Sequence, residues 1–269
     1  MRARAQTITS AANPLIKDVR RAIARGGLTE DGLCLAETFH LLEEALRSRC
    51  EVKTVLAAES AQPAVEEYLG RLNGVRLTVL PDALFQSIAA TQTTQGVLAL
   101  VQPPIWTPEK LFLGTPLVAV LDGVQDPGNA GTIARTAEAF GVSGMLLLKG
   151  TVSPWNPKTL RASAGSNFRV PFLQGLDAIQ ARDLLQQHQV DLFAGVPIGT
   201  QPPPQSIGDV DLTGRCALII GSEAHGVSDV LRASAREVTI PTAGVESLNA
   251  AVAAAILLYE ARRQRMGRP

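Results

Sequence analysis

The runs at 117–121, 145–148 and 217–220 are short, apolar at every position and bounded by turn residues, and they constrain the fold more than any other feature. A strand with one wet face alternates apolar and polar side chains, whereas a strand apolar throughout is buried on both faces. Helical patterns separate these runs. Residues 131–140 place Ile133, Ala137 and Phe140 inward, Asp177 caps a helix through Ile179, Leu184 and Leu185, and a closing helix is expected over 248–263. Residues 191–195 and 238–240 supply further strands. Such alternation specifies an α/β fold with a mostly parallel sheet covered on both faces. Ligands of such sheets sit beyond the carboxyl ends of the strands, so the loops at 122–129, 221–226 and 241–249 are where a site belongs.

The preceding residues read as a smaller α/β/α sandwich. A capped helix over 9–24 carries Leu15, Val19 and Ile23 on one face and ends at Gly26-Gly27. Short runs at 33–36, 52–57, 75–80 and 97–101 alternate with helical stretches at 38–49, 64–72 and 81–90. Residues 102–115, with Pro103, Pro104 and Pro108 and no periodicity, read as a linker. The expected division is therefore 1–101, a linker over 102–115, and 116–269.

Composition excludes several classes. With 46% hydrophobic and 19% charged residues the 269-residue chain is globular rather than disordered. No apolar run approaches the roughly 18 residues of a membrane span, and Met1-Arg2-Ala3-Arg4 is followed by no apolar signal segment. Cys34, Cys50 and Cys216 are far apart, as are His40, His188 and His225, which argues against a disulfide framework or a metal site and for a reducing cytoplasm. Net charge is zero, but Arg2, Arg4, Lys17, Arg20, Arg21 and Arg25 crowd one end and Arg262, Arg263, Arg265 and Arg268 the other. Basic ends on an acidic body are either solvated termini or phosphate-contacting arms.

The site loops narrow the chemistry. Gly221-Ser-Glu223-Ala-His-Gly226 follows a buried strand, yet no Gly-Lys-Ser/Thr closes it, and Glu223 stands where a dinucleotide loop needs its second glycine. A carboxylate there repels pyrophosphate and favours a cationic or polar ligand. With no Gly-x-Ser-x-Gly elbow, hydrolase chemistry lacks a nucleophile. In 122–136, Asp126-Pro127-Gly128-Asn129 is a turn signature, with Asn129 where a helix N-cap is expected. Arg135 follows within two helical turns, either aimed at a phosphate or paired with Glu138. Residues 240–255 read as strand end, Pro241, a loop with Gly244, then Ser247 and Asn249 at the mouth of an alanine-rich helix, with Ser247 suited to the N-cap.

Together these loops resemble the SpoU/TrmH branch of the SPOUT RNA methyltransferases. The first motif is carried as Asp122, Asp126, Pro127, Asn129, Gly131 and Arg135, the second as Gly221, Glu223 and Gly226, the third as Ile240, Pro241, Ser247, Leu248 and Asn249. The segment 161–171 is similar to that family's middle segment. Ser10, Asn13-Pro14, Glu37 and Gln95-Gly96 resemble the L30e-like RNA-binding domain that many members carry. Two positions depart: Thr242 replaces the usual Met, and Thr38 stands where Gly is common.

The resemblance implies transfer of a methyl group from S-adenosylmethionine to a ribose 2′-hydroxyl of structured RNA, with 23S rRNA expected ahead of tRNA. It further implies an L30e-like first domain, a SPOUT domain with a deep trefoil knot, and a cytoplasmic homodimer using no metal and no membrane. Carried over residue by residue, it assigns Asn129, Arg135, Glu223, Ser247 and Asn249 to catalysis and Gly221, Ile240 and Leu248 to the cofactor. A catalytically silent RNA- or cofactor-binding protein on the same fold is the remaining alternative.

Overall fold

The structure is a computed structural model and describes residues 6–70 and 75–266; Arg2, Arg4 and Arg268 of the expected basic ends lie outside those residues. From the N-terminus come β1 (Gln6–Thr7), α1 (Pro14–Arg25), β2 (Cys34–Glu37), α2 (Phe39–Arg47), β3 (Val52–Ala58), α3 (Gln62–Leu69), β4 (Arg76–Leu80), α4 (Asp82–Gln86) and β5 (Val97–Val101). They are followed by α5 (Pro108–Leu111), β6 (Leu117–Asp122), α6 (Pro127–Ala139), β7 (Gly144–Leu148), α7 (Pro157–Ala162), β8 (Phe172–Leu176) and α8 (Ala178–Gln187). The chain ends with β9 (Asp191–Gly195), β10 (Gln205–Ser206), β11 (Cys216–Gly221), α9 (Asp229–Arg232), β12 (Arg236–Thr239) and α10 (Ala250–Met266). It forms two compact units: Met1–Ile105 with Ser153–Phe168, and Trp106–Val152 with Arg169–Pro269.

In the first unit the strand order is β1-β4-β3-β5-β2, with β1, β4 and β3 parallel and β5 antiparallel to both its neighbours. Asn13 starts α1 by accepting from the Leu15 N–H at 2.9 Å, Pro14 sits at the first helical position, and Gly26 ends the helix at φ 64°. Ile16, Val19 and Ala22 of α1 pack with Leu56, Phe85, Leu98 and Leu100. The helix expected over 81–90 stops at Gln86. Glu37, only 2% exposed, provides a reason: its carboxylate accepts from the Ala90 N–H at 2.8 Å and the Thr91 hydroxyl at 2.5 Å, satisfying a donor that a continued helix would use.

Residues 153–168 pack within this unit. Gly165 takes φ 85°, and a Cβ there would lie 2.6 Å from Cβ of Glu44, so α2 leaves no space for a side chain. Asn167, fully buried, donates to the Pro154 carbonyl at 2.6 Å.

The second unit holds a seven-stranded sheet of order β10-β12-β9-β11-β6-β7-β8 in which every described pairing is parallel. Val118, Val120, Leu146, Ala217 and Ile219 point into one apolar core with Leu185 and Leu192. Leu111 and Phe112, within the stretch that reads as a linker, belong to this core. Gly144 makes room for them, since a Cβ there would meet the Leu111 side chain at 2.3 Å. The free thiols of Cys34 and Cys216 are buried, and that burial pushes both thiol pKa values up.

The basic C-terminal helix is spent largely on its own unit. Arg263 pairs with Glu260 at 2.7 Å. Arg265 donates to the carbonyls of Leu212 (2.9 Å), Thr115 (3.0 Å), Pro116 (3.3 Å) and Gly214 (2.5 Å), tying α10 to the starts of β6 and β11. Gln264 adds a bond from the Leu212 N–H at 2.9 Å and one to the Val210 carbonyl at 3.0 Å. Those Arg265 contacts exclude it from any phosphate arm.

Two substitutions should move stability in opposite directions. Arg265→Ala strands several partly buried carbonyls, each costing about 1–3 kcal/mol when desolvated without a partner, and should lower the unfolding free energy by about 3 kcal/mol in denaturant titration. Thr38 holds φ 129°, a region that favours glycine, while its hydroxyl caps α2 through the Leu41 N–H at 3.1 Å. Relief of about 1–3 kcal/mol of strain outweighs the few tenths lost with the cap and about 0.5–1 kcal/mol of glycine entropy. Thr38→Gly should therefore stabilise the protein by about 1 kcal/mol.

Candidate active site

The strands of the parallel sheet end together, Asp122 of β6 opposite Gly221 of β11. Beyond β9, β11 and β12 lies a cleft of about 590 Å³. It is lined by Gly221, Glu223, Ile240, Ser247, Leu248 and Asn249, which brings six of the expected site residues together. Thr242 and Glu246 also line it.

The second motif is a tight turn. Ser222 and Gly226 exchange backbone hydrogen bonds at 3.2 and 2.9 Å, folding 222–226 back onto the strand end. A Cβ on Gly221 would lie 2.1 Å from the Gly226 carbonyl carbon, and Gly226 itself takes φ 68°. Both glycines are thus demanded by the turn, which in turn holds Glu223 exposed at the rim. On the neighbouring strand, Asp122 accepts from the Ser228 N–H at 2.8 Å and anchors the far side of the same loop.

The first motif begins a turn earlier than the sequence suggests. The N-cap is Asp126, not Asn129: its carboxylate accepts from the Asn129 N–H at 2.7 Å, with Pro127 at the first helical position of α6. Asn129 is thereby freed to use its side chain elsewhere. Its Nδ2 donates to Glu223 Oε1 at 2.5 Å, and its Oδ1 accepts from Asn249 Nδ2 at 3.1 Å. Asn249 Oδ1 in turn accepts from the Ala251 N–H at 2.9 Å. Each orientation follows from the previous one. An ionised carboxylate only accepts, so Asn129 must offer its NH₂; its oxygen then needs the NH₂ of Asn249, whose oxygen is left for the helix. One residue from each motif is thus linked in a single polar chain.

The cap of α10 is accordingly Asn249. Ser247, expected in that role, lies before the helix in the lining of the cleft, exposed and with its hydroxyl unclaimed by any hydrogen bond among the described residues. Thr242 donates its hydroxyl to the Val245 carbonyl at 2.5 Å, which pins the loop preceding it.

Arg135 is not brought to the cleft. Six residues at about 100° each turn it roughly 120° away from Asn129 and carry it about 9 Å along α6. It is exposed and makes no ion pair among the described residues. Glu138, its possible partner from spacing, binds Arg169 instead, with Arg169 Nη2 at 2.9 Å. The residues missed from sequence are Asp122 as a loop anchor and Glu246 as a second carboxylate of the cleft; the first was visible as a motif position, the second had no signal.

Among the described residues no arginine or lysine aims an unpaired charge into the cleft: Arg232, the guanidinium in its wall, is paired with Glu237 at 2.6 Å. Two carboxylates, apolar Ile220, Ile240, Leu248 and Leu257, and exposed loop backbone fit a ligand with a flat apolar part and a positive charge. Gly221→Ala should cost about 3 kcal/mol or more through overpacking against backbone. It should also deform the cleft; a melting temperature equal to that of wild type would contradict the packing described.

Comparison with known proteins agrees with this architecture. Residues 116–259 match the SpoU rRNA Methylase family, and residues 13–99 match the MRM3-like substrate binding domain. An uncharacterized tRNA/rRNA methyltransferase of Synechocystis is 36% identical over 96% of this chain and 94% of its own. The 23S rRNA (guanosine(2553)-2′-O)-methyltransferase of Bacillus subtilis is 33% identical over 95% of this chain and 98% of its own. The AdoMet-bound SpoU methyltransferase AviRb of Streptomyces viridochromogenes superposes with a TM-score of 0.84 at 25% identity, covering 96% of this chain and all (100%) of that one. With a family match over more than half its length, on the strands, loops and cleft just described, the chain belongs to the SpoU rRNA methylase family.

Proposed function

We propose that the protein is an S-adenosylmethionine-dependent methyltransferase that modifies a ribose 2′-hydroxyl of rRNA, most specifically of 23S rRNA. The observation that carries this reading is the Glu223–Asn129–Asn249 chain at the mouth of the cleft, which joins the three motifs of a methyltransferase family. The preference for rRNA over tRNA follows from the relatives, whose names describe rRNA 2′-O-methylation.

The cleft suits the cofactor. Ile240 and Leu248 offer apolar contact for adenine, and the loop backbone from Gly221 allows close approach. The carboxylates of Glu223 and Glu246 favour a cationic ligand over a phosphate. When bound, S-adenosylmethionine supplies a methyl group on a sulfonium. The protein's part is to hold a ribose oxygen in line with it, and orientation of this kind is worth several kcal/mol of barrier. Ser247, with its hydroxyl unclaimed, and Asn249, fixed by Asn129, orient the ribose. Arg135 grips a backbone phosphate of the target and stabilises the developing alkoxide electrostatically, since a guanidinium stays protonated and is a poor base.

The position of Arg135 away from its own cleft is the reason to read the active form as a homodimer, with Arg135 serving the partner's site. Val252, Ile256 and Tyr259 of α10 support this: they are 48%, 36% and 54% exposed and lie at one-face helical spacing, an apolar stripe that a second copy would cover. The return of the chain to insert β11 between β6 and β9 supports a deep trefoil knot in this unit. The free cysteines suit a reducing cytoplasm. Residues 1–101, of which 13–99 match a substrate-binding domain, are read as the L30e-like RNA-binding domain, followed by a connecting stretch over 102–115 and the methyltransferase domain of 116–269.

Radiolabelled methyl transfer to separated rRNA and tRNA, followed by mapping of 2′-O-methyl sites, tests the activity; cofactor binding without transfer to any RNA would leave a silent binding protein. Asn129→Ala should reduce kcat about 100-fold, the scale expected for misplacement of reacting groups by about 1 Å, with little change in stability because the chain it breaks is exposed. Arg135→Lys should raise KM for RNA with an unchanged pH optimum, whereas an optimum that moves towards the lysine pKa would make residue 135 the base. Ile256→Glu should yield monomers by light scattering and lose transfer; an active monomer would overturn the shared site.

A further inference from the structure

The first unit carries a recess of about 450 Å³ that the methyl-transfer reading leaves unused. Ala58, Ala61 and Ala64 line it, together with Phe39 of α2, Asp82 and Gln86 of α4, and Gln95-Gly96 before β5. Its volume lies within the roughly 300–1,000 Å³ typical of small-ligand sites. Gly96 keeps the floor low: at φ 72° a Cβ there would stand 2.5 Å from Cβ of Ala61. Phe39 is half-buried, its ring held edge-on by Tyr68 with centroids 5.8 Å apart.

The polar groups at this recess are pre-oriented. Gln95 Oε1 accepts from the Phe39 N–H at 3.1 Å, which turns Nε2 of this exposed side chain away, as a donor without a partner among the described residues. Asp82 Oδ1 accepts from both the N–H and the hydroxyl of Ser60, at 3.0 and 2.9 Å, leaving Oδ2 as an acceptor. Among the described residues no cationic side chain lines the recess, which disfavours a phosphate there. Small apolar floor, aromatic ring, one fixed donor and one fixed acceptor match a flat heterocycle with a polar edge. An RNA base splayed out of its stack is such a ligand.

We infer that this recess receives one unstacked base of the RNA, packed against Phe39 and the alanines, with an exocyclic amino group towards Asp82 and a ring acceptor towards Gln95 Nε2. Adenine, cytosine and guanine carry such an amino group and uracil does not, so the recess discriminates against uracil. Only the choice of RNA as ligand rests on the proposed function.

Gln95→Glu isolates the contact: it keeps an oxygen for the Phe39 N–H and replaces the outward donor by an acceptor. Gln92→Glu, an exposed neighbour that does not line the recess, controls for the added charge. Fluorescein-labelled oligo(A), oligo(C) and oligo(U) dodecamers are titrated against the full chain by anisotropy, with S-adenosylhomocysteine calorimetry on the same samples. Wild type should bind oligo(A) and oligo(C) more tightly than oligo(U). Gln95→Glu should weaken the first two about ten-fold relative to Gln92→Glu, with S-adenosylhomocysteine binding unchanged. Phe39→Leu, which preserves bulk but not the aromatic face, should weaken all three about ten-fold; if it fails to fold, Gln95→Glu decides alone. Equal affinity for the three oligonucleotides, or equal effects of Gln95→Glu and Gln92→Glu, overturns the inference. A protein that binds these oligonucleotides through Gln95 but no S-adenosylhomocysteine would instead sink the methyltransferase reading and leave the recess standing.

Discussion

The placement of β11 between β6 and β9 is the constraint on which the second unit depends. A strand buried on both faces has to satisfy every backbone group through its two neighbours, and β11 does so in register with β6 from Cys216 to Gly221 and with β9 from Cys216 to Ile219. This register sets Gly221 level with Asp122, so that the loops leaving the two strands meet. Asp122 can then hold the Ser228 N–H, and Glu223 can reach Asn129. At the opposite end, Arg265 holds the carbonyls that precede β6 and β11, so the strand pair is clamped from outside the sheet as well.

The site is built by chained orientation rather than by burial. Glu223, Asn129 and Asn249 form one chain in which the acceptor-only carboxylate dictates which end of each amide faces which neighbour. Asn249 closes the chain on the first turn of α10, where the free N–H groups need an acceptor. Loop position, amide orientation and helix start are therefore coupled, and a fault at Asn129 is felt at Asn249. Ser247 and Arg135 stand outside this chain, each exposed and uncommitted, in keeping with groups that act on something brought to the protein.

Glycines in both units serve either a tight turn or close packing, Gly144 of the second unit being of the packed kind. In the second unit Gly221 and Gly226 serve a turn that leaves space for a ligand. In the first, Gly165 and Gly26 serve packing: a Cβ on either would strike Glu44 or Asn156. Thr38 stands against this trend, a β-branched residue at φ 129° whose capping hydroxyl compensates only part of the backbone strain.

Much of this was legible in the sequence, and for a definite reason. Short continuous apolar runs bounded by turn residues read as buried strands, so β6, β7 and β11, and the loops after them, follow from local composition, as does the Asp177 cap of α8. The half-exposed edge strand β8 lacks such a run, and Leu111 and Phe112 sit in a proline-rich stretch, so neither announced its place. Motif order indicated which loops converge. Only the tertiary structure decided that Asp126 rather than Asn129 caps α6, that Asn249 rather than Ser247 caps α10, and that Arg135 turns away from its own cleft. A side chain's cap or contact is settled by which partner lies within about 3 Å. For Asn129 that partner is 94 residues distant along the chain, a distance that no local pattern encodes.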